Sequence, residues 1–228
     1  MANIIAVVNQ KGGVGKTTTT VNITAALRAL GKRVLLCDFD AQANATSGMG
    51  VDKNTASPNV YDVLINGAEP QKAVVSTKYG DVLPSNKALA GASIEMIAIP
   101  DREHLLQKAL EQLAPNYDYI FIDSTPAMSV ADAIITDRLA DLCIYIVREG
   151  VLDRRQLPDI ERLYREKKLH NMCIVLNSTR ARRHGYGYGY GYGYGYGYGY
   201  GYGDDYKEVS YRKRIKHFFR SLAHKVKR

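Results

Sequence analysis

The sequence is short of cysteine, of long apolar runs and, over most of its length, of net charge. Cys37, Cys143 and Cys173 are odd in number and none has C-x-x-C spacing, which speaks against a disulfide framework and against a zinc or thiol redox site. Each lies in an apolar run that reads as a strand, so the expectation is three core thiols in a reducing compartment. No apolar run approaches the roughly 18 residues of a membrane span. The chain opens directly into an apolar run with no basic segment or cleavage site ahead of it, so no leader is expected and the chain is expected to be cytoplasmic. The formal charge of +8 is concentrated at one end: residues 204–228 hold nine Lys/Arg against three Asp/Glu, leaving +2 for the other 203 residues.

What is present is enough for a core. At 228 residues and 46% hydrophobic content, one α/β domain of ordinary size is expected, followed by a tail. Residues 4–8 form an apolar, β-branched run, then a Gly-rich turn, then residues 17–30, where Val21, Ala25 and Leu30 recur at roughly helical spacing. Gly31 ends that helix, and residues 34–37 form a buried strand leading into Asp38-Phe39-Asp40. Further strand-like runs are 81–83, 117–122, 142–147 and 172–176, separated by helical patterns such as 101–113 and 153–168. Strands alternating with helices predict a three-layer α/β fold, a mainly parallel sheet with helices on both faces, over residues 1–180. Ligands in such sheets bind at the carboxyl ends of the strands, where this chain repeatedly places Asp, Asn or Gly.

The run Gln10-Lys11-Gly12-Gly13-Val14-Gly15-Lys16-Thr17-Thr18 sits between predicted strand and predicted helix, the context that a phosphate-binding loop requires. Glycines let backbone N–H groups turn inward around phosphates, Lys16 neutralises the β/γ oxygens, and the Thr17 hydroxyl reaches a magnesium ion. The helix that follows adds its positive end. An ordinary Gly-rich turn is the plainer alternative. A strand end carrying Asp38 and Asp40 beside a triphosphate calls for a cation; capping of the next loop is the plainer role for either residue.

With Gln10 where the usual loop has Gly, an added Lys11, and the flanking TTTTVNITAAL, the loop resembles that of the ParA/MinD family of deviant P-loop ATPases. The resemblance implies ATP and Mg2+ as ligands and an ATP-dependent homodimer in which Lys11 reaches the partner's phosphates. VLLCDFDAQANATSGMG is similar to the family's second acidic motif, with Ala41 and Ala43 where Pro and Gly are more usual. By that likeness Asp40 orients the attacking water and Asp38 supports the magnesium shell. YDYIFIDSTP is similar to the third acidic motif and delivers Asp123 to the metal, although Ser124-Thr125-Pro126 replaces the usual pair of prolines. Asn177, closing CIVLN, corresponds to an adenine-contacting asparagine; as a strand-end residue it also suits a simple turn.

The two halves of the chain resemble different relatives. Up to about Leu113, including LPSNKALAGASIEM, it is similar to Soj/ParA partitioning ATPases, which implies a switch protein acting in partitioning or spatial organisation. VADAIITDRLADLCIYIVREG, IVLN and the tyrosine-rich tail are similar to bacterial capsular or exopolysaccharide tyrosine autokinases, which implies self-phosphorylation and a transmembrane activator partner. Both likenesses imply ATP; they differ on whether water or a tyrosine attacks. Lys11 and Asp40 favour hydrolysis, and a natural fusion or an artificial chimera would account for the seam.

Residues 185–203 alternate strictly between Gly and Tyr and cannot bury a core, so a disordered linker is expected over residues 181–205. On the kinase reading Tyr186, Tyr188, Tyr190, Tyr192, Tyr194, Tyr196, Tyr198, Tyr200 and Tyr202 are the acceptors; otherwise the segment is a flexible linker. In residues 206–228 Tyr211, Ile215, Phe218, Phe219, Leu222 and Val226 share a helical face among lysines and arginines, a basic amphipathic helix suited to an anionic membrane surface. DNA is the competing partner, supported by Arg180, Arg182 and Arg183, and the chain is accordingly expected at the inner face of the membrane or on the nucleoid.

Overall fold

The computed structural model describes residues 2–124, 139–169 and 171–179. Seven strands form one sheet in the order β3-β4-β2-β5-β1-β6-β7: β1 Asn3–Val8, β2 Val34–Phe39, β3 Val75–Thr77, β4 Gly80–Leu83, β5 Tyr119–Ser124, β6 Leu142–Arg148 and β7 Met172–Asn177. Every pairing is parallel except that of β3 with β4. The inner strands are apolar almost without interruption because a parallel sheet is covered on both faces.

Strand alternation sorts side chains between two layers. On one face Leu35, Cys37, Ile120 and Ile122 pack with Val60 and Leu64 of α3 (Val60–Ile65), Leu89 and Ala92 of α5 (Leu89–Glu95), and Leu106, Leu110 and Leu113 of α6 (Leu105–Leu113). A short α4 (Pro70–Ala73) adds Ala73 to the same cluster. Further along that face Ala6, Val8, Cys143 and Tyr145 meet Ile160 of α7 (Leu157–Arg165). The opposite face carries α1 (Lys16–Ala29) and α2 (Asn44–Gly48), with Val21 and Met49 packed on Leu36 and Val82. This is the expected three-layer arrangement.

The sequence pattern placed the strands well and the helices less well. The stretch 101–113 begins as a 3-10 turn, Arg102–His104, before α6, and 153–168 likewise begins as Arg154–Gln156 before α7. The helix at 17–30 starts one residue earlier, at Lys16, and Gly31 takes the left-handed conformation expected beyond its end, with φ 79°. Its buried residues are Lys16, Thr20, Thr24 and Leu27 rather than the apolar stripe through Val21, Ala25 and Leu30. A threonine tolerates that position when its hydroxyl bonds back to its own helix, and Thr20 Oγ1 donates to the Lys16 carbonyl at 2.9 Å. Cys37 and Cys143 are core thiols as expected; Cys173 is only half-buried because it lies on β7, an edge strand. The loop at Thr125-Pro126, Arg180, Arg182 and Arg183, the Gly-Tyr segment with its nine tyrosines, and the basic helix at 206–228 lie outside the described residues. Among the described residues no helix is long and apolar enough to cross a membrane.

The helical layer rests on a few fully enclosed side chains. Leu110→Ala on α6, fully buried in that cluster, should cost about 2–5 kcal/mol in urea denaturation. Ile94→Ala on α5, 72% exposed, should stay within about 0.5 kcal/mol.

Candidate functional site

The site forms where β1, β2, β5, β6 and β7 end. β1 delivers the chain into the loop 9–15, and α1 begins at Lys16. Gly13 and Gly15 adopt φ of 70° and 101°, a region where a Cβ is strained. At Gly15 a Cβ would also lie 2.3 Å from Asn177 Nδ2. Asn9, buried at the end of β1, donates its amide to the Ile146 carbonyl and accepts the Lys11 N–H at 2.7 Å. From outside, Arg148 donates to the Gly13 carbonyl at 2.7 Å and Asn177 to the Val14 carbonyl at 2.9 Å. The loop is thus tied to two neighbouring strands, β6 and β7, through its carbonyls and Asn9.

Lys16 is 5% exposed and its Nζ reaches back to the Lys11 carbonyl at 3.1 Å. Burial lowers its pKa, and the charges of Asp123 and Asp40 act against that. A buried ammonium with, among the described residues, only a carbonyl as its hydrogen-bond partner is suited to an anion. Gly12, Gly13 and Thr18 are exposed, Val14 is buried, and Thr17 is the second residue of α1.

Asp38 and Asp123 are paired in register on adjacent parallel strands, and both are fully buried. Burial raises the Asp38 pKa to about 6, opposed by hydrogen bonds from the Thr46 side chain and backbone and from the Asp40 N–H. The Thr46 N–H and Oγ1 both reach Asp38 Oδ2 at 2.7 Å. Burial likewise raises Asp123 to about 7; the hydroxyls of Thr17 and Thr20 oppose the shift, and the neighbouring charges of Asp38 and Asp40 add to it. Thr20 Oγ1 donates to Asp123 Oδ1 at 3.3 Å, whereas among the described residues the buried Oδ2 has no hydrogen-bond partner. An orphaned carboxylate oxygen beside a second buried carboxylate and the Thr17 hydroxyl is a hard-oxygen set suited to Mg2+. Asp40, 6% exposed, accepts the Gln42 N–H at 2.9 Å, so it does shape the next loop, as the plainer reading held, while also acting on Lys16.

The sequence motifs meet here, with one exception in reach. Lys11 Nζ lies on the exposed side and donates to the Val151 carbonyl at 3.0 Å. Four contributors were not singled out from sequence: Asn9, Thr20, Thr46 and Arg148. Thr20 had a local signal, since it lies one helical turn beyond Lys16 on the same face. Asn9, Thr46 and Arg148 act through tertiary contacts and had none.

The two raised carboxylates set a pH dependence. Between the ordinary carboxylate range and about pH 7 the folded chain holds protons that the unfolded chain has lost, so these groups reduce stability as pH rises through that window. Protons and a divalent cation compete for the same oxygens. Calorimetric Mg2+ affinity in the presence of a nucleotide should therefore strengthen from pH 5.5 to 7.5 and flatten above it, and Asp123→Asn should remove most of the rise.

Comparison with known proteins agrees with this geometry. The family model described as an AAA domain matches residues 2–148. The chain is 44% identical over 161 residues to the sporulation initiation inhibitor protein Soj of Bacillus subtilis, covering 66% of this chain and 62% of that protein. It is 34% identical over 193 residues to the chromosome partitioning protein ParA of Myxococcus xanthus, covering 79% and 67%. Against its Bacillus and Pseudomonas putida relatives the match spans only about three fifths of their length. Among solved structures, cobyrinic acid a,c-diamide synthase from Mycobacterium smegmatis with bound ATP analog and magnesium superposes with TM-score 0.67 at 33% identity, over 76% of this chain and 72% of that one. A plasmid partition protein of Borrelia burgdorferi bound to AMPPNP gives TM-score 0.65 at 26% identity, over 80% and 78%. A phosphate loop on a parallel sheet, two acidic strand ends beside it and these relatives place the chain in one family: it belongs to the AAA domain family, among its ParA/Soj-type P-loop ATPases.

Proposed function

We propose that this chain binds ATP with Mg2+ and hydrolyses the β-γ phosphoanhydride, working as a switch that dimerises with ATP. The observation that carries the reading is the convergence of Lys16, Asp38, Asp40 and Asp123 on one loop, with Lys16 desolvated and Asp123 Oδ2 unpartnered. The loop N–H groups and Lys16 would hold the β- and γ-phosphates and stabilise the charge that grows there in the transition state. A magnesium ion held by Thr17, Asp38 and Asp123 would supply Lewis-acid neutralisation of the same oxygens. Asp40, beside the acidic pair, would orient the attacking water, and Asn177, close to Gly15, would contact the adenine. Lys11 stands on the exposed side of the loop, free to exchange Val151 for a partner's phosphate. Partitioning or spatial organisation is the role that the named relatives suggest, with DNA or an anionic membrane surface as the target of the basic residues 206–228.

A second reading rests on the nine tyrosines of residues 185–203: the same site would transfer the γ-phosphoryl to a tyrosine hydroxyl of this or a neighbouring chain, with a transmembrane activator as partner. Nineteen Gly-rich residues span roughly 25 Å, enough to present several acceptors and no single one. Phosphorylation would then be spread over the tyrosines and depend on protein concentration.

Incubation with γ-labelled ATP and Mg2+, counting free phosphate and phosphotyrosine together, separates the two. Hydrolysis predicts phosphate release that persists when residues 185–203 are deleted, and no phosphotyrosine; abundant phosphotyrosine that disappears in Lys16→Ala would favour the kinase. Lys16→Ala should reduce turnover by about 100-fold or more on either reading. Lys11→Ala should keep monomer nucleotide binding while lowering hydrolysis and ATP-dependent dimerisation by sedimentation. Equal loss of binding and turnover at every protein concentration would confine Lys11 to its own site.

A further inference from the structure

The outer side of the phosphate loop is held by a device that the hydrolysis reading does not itself require. Arg148 and Asn177 are register partners at the ends of the parallel strands β6 and β7. Their side chains bind two successive loop carbonyls, Arg148 that of Gly13 at 2.7 Å and Asn177 that of Val14 at 2.9 Å. In a trans peptide the carbonyl and the following N–H point in opposite directions. A Gly13 oxygen fixed outward therefore aims the Val14 N–H inward, and a Val14 oxygen fixed outward aims the Gly15 N–H inward.

The first of these peptides needs the restraint most. Gly13 has φ 70° and open space where a Cβ would be, so no side chain of its own restricts its backbone torsions. Arg148 is itself firmly seated: its carbonyl accepts the N–H groups of Val151 and Leu152, and the next residue, Glu149, donates its N–H to the Asn177 carbonyl at 3.0 Å. A guanidinium donating to a carbonyl makes a charge-assisted bond, stronger than its neutral counterpart. We propose that Arg148 is a positioning residue that presets the Val14 N–H for a nucleotide phosphate by holding the Gly13 carbonyl outward, the proposal resting on the reading of residues 11–18 as the phosphate cradle.

The nucleotide-free protein tests the geometric half. In Arg148→Met the backbone amide signal of Val14 in a 1H–15N spectrum should shift or broaden, and Arg148→Lys, which keeps a charged donor, should restore it in part. With ADP and Mg2+ or ATP and Mg2+ as probes, Arg148→Met should weaken binding by about tenfold, with KM carrying the change more than kcat, and Arg148→Lys should recover part of it. The thermal midpoint without nucleotide should match the parent, a comparison that separates positioning from general loss of structure. If the Val14 signal is unchanged, or if it changes while nucleotide affinity does not, the proposal is wrong. A parent chain that binds neither nucleotide would sink the function reading, while the nucleotide-free spectra would still report on Arg148 and the loop.

Discussion

The constraint on which the site depends is the burial of two carboxylates side by side. Asp38 and Asp123 are register partners on adjacent strands, fully enclosed, at the end of the sheet where the phosphate loop begins. Two like charges removed from water together are unfavourable unless something compensates them. Asp38 is compensated by Thr46 and the Asp40 N–H, and Asp123 only partly, by hydroxyls of α1. What remains uncompensated faces Lys16 and the loop, so the interior of the fold holds unsatisfied acidity where a cation with a polyphosphate would relieve it. The raised pKa values of about 6 and about 7 express the same imbalance.

The surrounding architecture brings these charges together and keeps them fixed. β2 and β5 are central strands covered by helices on both faces, so their ends shift little. α1 turns a polar face toward the sheet, and through Thr20 it ties the Lys16 turn to Asp123. Asn9 joins the loop to β6, and Thr46 joins Asp38 to the Ser85 N–H beyond β4 at 2.9 Å. Each link is a hydrogen bond with a net stabilisation of roughly 1 kcal/mol. Their collective effect is preorganisation, so that binding need not order the loop.

The edge strands behave differently. β7 exposes Ile174, Val175 and Leu176, while its last residue, Asn177, reaches the Val14 carbonyl of the loop. A strand with few buried contacts thus contributes a hydrogen bond to the glycine-rich loop. That is possible because parallel strands end together, placing Arg148 and Asn177 beside the glycines wherever the rest of β7 faces.

Much of this was legible in the sequence for physical reasons. A strand buried on both faces must be apolar along its length, so the strand runs stood out, and the glycines and lysines of the loop are residue types that phosphate binding cannot replace. Asp38, Asp40 and Asp123 were recognisable because each ends an apolar strand where charge is otherwise unfavourable. The short elements α2 to α5 and β3 were not, since three to seven residues carry too little periodicity. The burial of Thr20 on α1 was not legible, because its hydroxyl is satisfied by its own helix and by a carboxylate 103 residues away. Asn9, Thr46 and Arg148 are ordinary polar residues in the sequence. Sequence alone determined the fold class, six of the seven strands and the family, because these follow from residue type and local spacing. Only the tertiary structure decided which oxygens are left unpartnered and which side chains hold the loop, because both depend on strand ends brought together across more than a hundred residues of chain.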